Sequence, residues 1–312
     1  MSGDPPRART VVVAEPRRIS YPERSCKMAS AMAEKAKYPA SIMPSWAAAP
    51  FHEFLDHHEQ AMRLLHLTMR GIAMVRGAPR ALEVLAEVDN KTEEEETQRR
   101  LEDARGAAEL AQSEVEKGFP ILHEQAAISL WGSLEALVKA LVVAWLVNKP
   151  ECFKAKELER VKIQLGEYMG LTQLEQCEYV VTLLDQQEGG GQRFGTTRFE
   201  TLLSPIGVSG SVDADVTRAI FELQQVRHVL VHRRGLADRK LLEACPWLKV
   251  QLGDRVVIDH ATYNRLSKAA HDYVLEIIQR AREQFGVGRF DTDTWEKEQR
   301  STSTVQPSET SG

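Results

Sequence analysis

Arg227 and His232 stand in the run Arg227-His228-Val229-Leu230-Val231-His232-Arg233-Arg234-Gly235, an apolar helical stretch that carries an arginine inside it and ends on a histidine. A guanidinium can hold a phosphate and an imidazole can move a proton near neutral pH. Together they are the minimum equipment for metal-free cleavage of RNA. On a helix turning 100° per residue, Val216, Ile220, Leu223, Arg227 and Leu230 share one stripe, so the arginine sits where a core-facing seam expects an aliphatic side chain. A charge placed there costs several kcal/mol unless it is paired. A carboxylate (Glu135 or Glu222), a hydrogen-bond network or a bound phosphate must therefore answer it. His232 falls roughly 140° further round the same helix. One straight helix cannot aim both groups at one phosphate: either its end bends, or two chains share the site. Gln225 and Val229 lie on the His232 side, which supplies a second face for a dimer seam.

The elements that must position these groups read as helices. Ser211-Val212-Asp213 opens the motif helix, and Gly235 stands where a left-handed C-terminal residue is expected. Ile121 to Val147 is the most apolar stretch, stopped by Asn148-Lys149-Pro150. Its Glu135 and Lys139, four residues apart, support a soluble core helix, and each would cost about 2.5–3.5 kcal/mol at a bilayer centre. Phe51, Leu55, His58, Met62, Leu65, Met69 and Ile72 step by threes and fours along a helix that ends near Gly77. From Pro79 to Lys117 the mixed charges around Glu93 to Glu96 and Arg105 suit a solvated helix or helical hairpin. Shorter helices are expected at about 152–168 and 171–187. Gly189-Gly190-Gly191, with Gly195 after it, reads as a linker, and Val250 to Asp259, around Gly253-Asp254, as a short β-hairpin. Tyr263 to Phe285 is a last amphipathic helix. The fold class is thus all-α, with that hairpin before the last helix and an N-terminal helical extension over 51–118. Residues 1–50, rich in Pro, Arg, Ser and Ala, and the Thr/Ser/Glu/Gln-rich 289–312 read as disordered arms, and Met28 or Met32 is an alternative start.

With 312 residues, 43% hydrophobic and 27% charged, the chain can bury a real core. A net charge of -5 excludes a protein that coats nucleic acid by charge alone, though not a local basic patch. Cys26, Cys152, Cys177 and Cys245 are widely spaced, with no Cys-x-x-Cys pair and no early secretory segment. The expectation is a reduced, cytoplasmic protein without structural zinc. His52-Glu53 with His57 and His58 is not a zinc-protease helix, because the position that should match the second histidine holds Asp56, so no metal is expected there.

The run Arg227-His228-x-x-x-His232, followed by Gly235 and Asp238, resembles the R-x4-6-H motif of the HEPN superfamily, and the helix around Ser133-Leu134-Glu135-Ala136 looks like the glutamate-bearing helix beside that motif in such domains. The resemblance covers roughly Phe119 to Phe285 and bounds a HEPN-like domain at 119–288. It implies a helical bundle dimerised through the motif helix and, as in many prokaryotic members, a metal-independent endoribonuclease of toxin-antitoxin or other defence systems. RNA is then the substrate, an antitoxin or defence protein a possible partner, and no cofactor or membrane is involved. Arg227 and His232 would be catalytic. His228 would orient the scissile phosphate, and Arg233, Arg234 and Lys240 would contact the backbone. Where related members commonly place asparagine after the histidine, this chain has Arg233. The competing expectation is a non-catalytic helical binding or adaptor module, in which Arg227 closes a buried ion pair and the cations merely oppose the helix dipole.

Overall fold

The computed structural model describes residues 43–188 and 194–287. Most of the arm expected over 1–50, the Gly189–Gly191 linker and the tail from 289 lie outside the described residues. Eleven helices follow in order among the described residues: α1 (Ser45–Val75), α2 (Ala78–Val88), α3 (Glu95–Lys117), α4 (Pro120–Asn148), α5 (Lys156–Glu159), α6 (Leu165–Tyr168), α7 (Gln173–Glu188), α8 (Thr196–Leu203), α9 (Ala214–His232), α10 (Arg239–Ala244) and α11 (His260–Gln284). Single 3-10 turns follow α4, α8 and α10.

The apolar α4 is the axis of the bundle. It is long and apolar enough to cross a membrane, yet α1, α7, α8, α9 and α11 all pack on it, and Leu134, Val138, Leu141 and Val142 are completely buried. α9 and α11 also pack on each other, so the motif helix is held on two sides. α3 leans on α1 and α2, forming the solvated hairpin that the charge pattern anticipates. One apolar cluster runs from Ala47 on α1 to Ala281 on α11 and includes residues on both sides of position 118. α1 also starts earlier than the arm boundary at residue 50. Trp46 meets Trp145 and Phe285 edge-on at 5.4 and 5.7 Å, so this Pro-flanked segment gains a tertiary anchor that composition does not reveal.

Local sequence explains the sharp turn into α4. Gly118 at φ +75 ends α3, with the Phe119 N–H donating to the Glu114 carbonyl at 3.0 Å, and Pro120 opens α4 in the first helical position. Phe119, buried and itself left-handed at φ +56, is held between these two signals.

The expected hairpin over Val250–Asp259 is replaced. Among the described residues there is no strand, and the Gly253 turn pairs with the segment that follows the motif helix. Ala237 N–H donates to the Asp254 carbonyl at 2.8 Å, Val256 N–H to Gly235 at 2.8 Å, and Leu236 bridges Arg255. Burial of Val256 and Ile258 against the core selects this long-range partner over the local one. The short helices also shift from their expected ranges, with 152–168 broken into a 3-10 turn, α5 and α6.

Candidate functional site

Asp213 caps α9, its carboxylate accepting from the N–H groups of Asp215 (2.9 Å) and Val216 (3.2 Å). The helix then runs unbroken to His232. Ala219, Ile220, Leu223, Val226 and Val229 are buried. At the far end Arg234 as well as Gly235 is left-handed (φ +56 and +75), and the Val229 carbonyl receives both Arg233 and Gly235 N–H groups. The positive φ is thus shared with a residue that carries a side chain. Arg234 is exposed.

Neither carboxylate named for Arg227 pairs with it. Glu135 accepts from Arg198 at 2.5 Å, and Arg198 in turn makes a two-pronged contact with Asp185 at 2.8 and 2.7 Å. Glu222, almost completely buried, accepts from the Trp247 indole at 2.7 Å and pairs with Arg265. Arg227 itself is half-buried, and its buried Nε has no hydrogen-bond partner among the described residues. This is an uncommon condition for a guanidinium, since buried polar groups are nearly always satisfied.

His228 and His232 come together, their ring centroids 4.9 Å apart. His232 is exposed and His228 half-buried. Burial holds the His228 imidazole below its ordinary pKa, helped by the nearby charges of His232, Lys240 and Arg233 and opposed by Asp238. Arg233 Nε lies 3.4 Å from Asp238, whose other oxygen caps α10 through Leu241 N–H. The structure therefore gathers His228, His232, Arg233 and Lys240. Because α9 is one continuous helix, Arg227 and His232 lie roughly 140° apart around it. Residues 227–240 hold five cations (Arg227, Arg233, Arg234, Arg239, Lys240) against one anion, Asp238, in a chain of net charge -5.

Sequence reasoning missed the ring-bearing part of the face that His232 shares. Arg218, Phe221, Gln225, His228 and His232 recur at steps of three and four, the same spacing used to find the core face. Arg218 and His232 are exposed, Phe221 and His228 are half-buried, and Gln225 and Val229 are buried, so the second face expected for a dimer seam is packed within the chain. Phe221 touches Phe194 edge-on at 6.1 Å and Trp247 at 6.5 Å, while Arg218 lies 4.2 Å from the Trp247 ring. Gly195 is more than linker: its N–H donates to Gln224 at 2.6 Å, and a Cβ there would lie 3.0 Å from the Phe221 backbone. Among the described residues, no three His, Cys, Asp or Glu side chains converge as metal ligands, and Cys152, Cys177 and Cys245 form no disulfide.

The fold and site define an all-α helical protein with a basic, histidine-bearing helix end. The chain matches no protein-family model, no curated protein and no solved structure.

Proposed function

We propose that this chain is a metal-independent endoribonuclease of the HEPN type, acting as a homodimer through the exposed end of α9 at Val231 and His232. The observation that carries this reading is Arg227: a half-buried guanidinium on the motif helix with an unanswered Nε, within a local concentration of cations. An arginine spent on a structural ion pair would have a carboxylate, and both candidates are taken by other partners.

The reaction is an in-line transesterification. The ribose 2'-hydroxyl loses its proton to a neutral imidazole and its oxygen bonds to phosphorus. The bond from phosphorus to the 5'-oxygen breaks, and that oxygen takes a proton from an imidazolium. His232, exposed at the helix end, is the proton-transfer group, and its copy across the dimer serves the opposite role. Arg227 stabilises the charge that grows on the phosphorane-like transition state. Since the two groups diverge on one helix, Arg227 of one subunit works with His232 of the other. His228 orients the phosphate, while Arg233, Arg234 and Lys240 hold the backbone. RNA is the substrate, and a neutralising antitoxin or defence protein is the class of partner this activity calls for.

The second reading, a non-catalytic helical binding module, draws on a different surface. Leu64, Leu67 and Met74 form an exposed apolar stripe on α1, and Leu85 and Val88 are exposed on α2.

Labelled RNA incubated in EDTA with the wild type, Arg227→Ala and His232→Ala tests the proposal, with light scattering to establish one oligomeric state for all three. Cleavage to 2',3'-cyclic phosphate ends by the wild type alone is expected. Intact RNA with folded wild type overturns the nuclease reading in favour of the binding module.

A further inference from the structure

Resting on the ribonuclease reading, we infer that the row of rings Phe194, Phe221 and Trp247 beside α9 forms a base-stacking platform, and that the substrate is unpaired RNA. Ring contacts and the charge of Lys240 link these groups to the His228–His232 pair. Next to that pair is Lys240, whose charge acts on His228 and whose Nζ lies 5.6 Å from the Phe194 ring centroid. Phe194 then meets Phe221, Phe221 meets Trp247, and Arg218 covers one face of Trp247. Arg218 stands at one end of the aromatic row and Lys240 at the other, between the row and the histidines. Arg218 to His232 spans about 21 Å at 1.5 Å per residue.

A row of rings with a cation at each end fits a single strand. Aromatic faces accept any base by stacking, while cations follow the phosphates. A duplex offers no free base faces, and side chains cannot enter the deep, narrow major groove of A-form RNA. The row is also built rather than incidental. Gly195 is the residue that permits it: its bare Cα lets the chain press against the Phe221 backbone, and its N–H is fixed by Gln224. That clamp sets Phe194 on the surface, 36% exposed, where an ordinary core phenylalanine would be covered. The row leads away from the proton-transfer end of the helix, so bases stacked on it place the flanking phosphate at His232.

Fluorescence anisotropy in EDTA with a labelled single-stranded oligouridine, and with the same strand annealed to its complement, tests the platform. Cleavage is followed in parallel on the unannealed strand. Phe194→Ala, an exposed truncation that spares the core, is compared with Phe194→Tyr, which keeps a stacking ring. Wild type is expected to favour the single strand, Phe194→Ala to weaken that binding about tenfold, and Phe194→Tyr to restore it. Equal binding of single and double strands, or undiminished binding by Phe194→Ala, overturns the platform while leaving cleavage by Arg227 and His232 intact. Ring-dependent binding without cleavage keeps the platform and removes the nuclease. Failure of wild type to bind either RNA removes both.

Discussion

Two charged residues of α9 sit in opposite conditions, and this gives a sharp prediction at the residue scale. Glu222 is buried but fully engaged, accepting from Trp247 and Arg265, whereas the buried Nε of Arg227 goes without an acceptor. Removing a satisfied charged acceptor costs about 2 kcal/mol, while removing an unsatisfied group relieves a desolvation penalty. Glu222→Ala is therefore expected to lower the unfolding free energy by about 2 kcal/mol. Arg227→Met should leave it unchanged or raise it, and should abolish RNA cleavage. Urea titration of both variants checks this; a large loss for Arg227→Met would mean that the arginine is structural. The sequence exposed the anomaly of Arg227, because a charge on an aliphatic seam is visible in the periodicity. It could not assign Glu135 or Glu222, since Arg198 and Arg265 reach them across 63 and 43 residues of chain.

At the scale of elements, α11 is tied to its neighbours by imidazoles. His58 on α1 stacks on Phe54 and lies 3.2 Å from Ser267, while His123 on α4 lies 3.2 Å from His260 Nδ1 and bonds the Phe119 carbonyl at 3.0 Å. Burial, before any other cause, pushes His58, His123 and His271 below their ordinary pKa. In the unfolded chain these groups titrate near about 6.5, so the unfolded state takes up protons first as the pH falls. Their contribution to stability is whole above about pH 6.5 and is lost progressively below it. Urea unfolding between pH 7.5 and 5 should show falling stability with acid, with a shallower slope in His58→Leu; coincident profiles would show that His58 protonates freely in the fold. These long helices were legible because apolar side chains repeat at the helical period over many turns. The β-hairpin was misread because a glycine turn signals reversal without naming the partner. Here the partner is Gly235–Ala237, in the segment between α9 and α10.

For the whole molecule, the contrast between a net charge of -5 and the basic span at 227–240 limits how RNA can be held. A net acidic chain gains little from its overall charge when it meets a polyanion, so the proposed binding draws on those local cations and on ring contacts that salt does not screen. Single-stranded nucleic acid loses affinity with a logarithmic slope of about -0.7 per phosphate neutralised. The five cations of the span, with Arg218 at the end of the ring row, therefore set a ceiling of about -4.2, and Arg233, shared with Asp238, brings the expected value below it. Lys240→Ala is expected to make the slope shallower by about 0.7. Phe194→Ala should weaken binding equally at every salt concentration and leave the slope alone, because stacking releases no counterions. Titrations of a single-stranded oligouridine across a range of potassium chloride separate the two. A slope much steeper than the ceiling would place most of the RNA on cations outside this helix end, and would move the site elsewhere on the molecule.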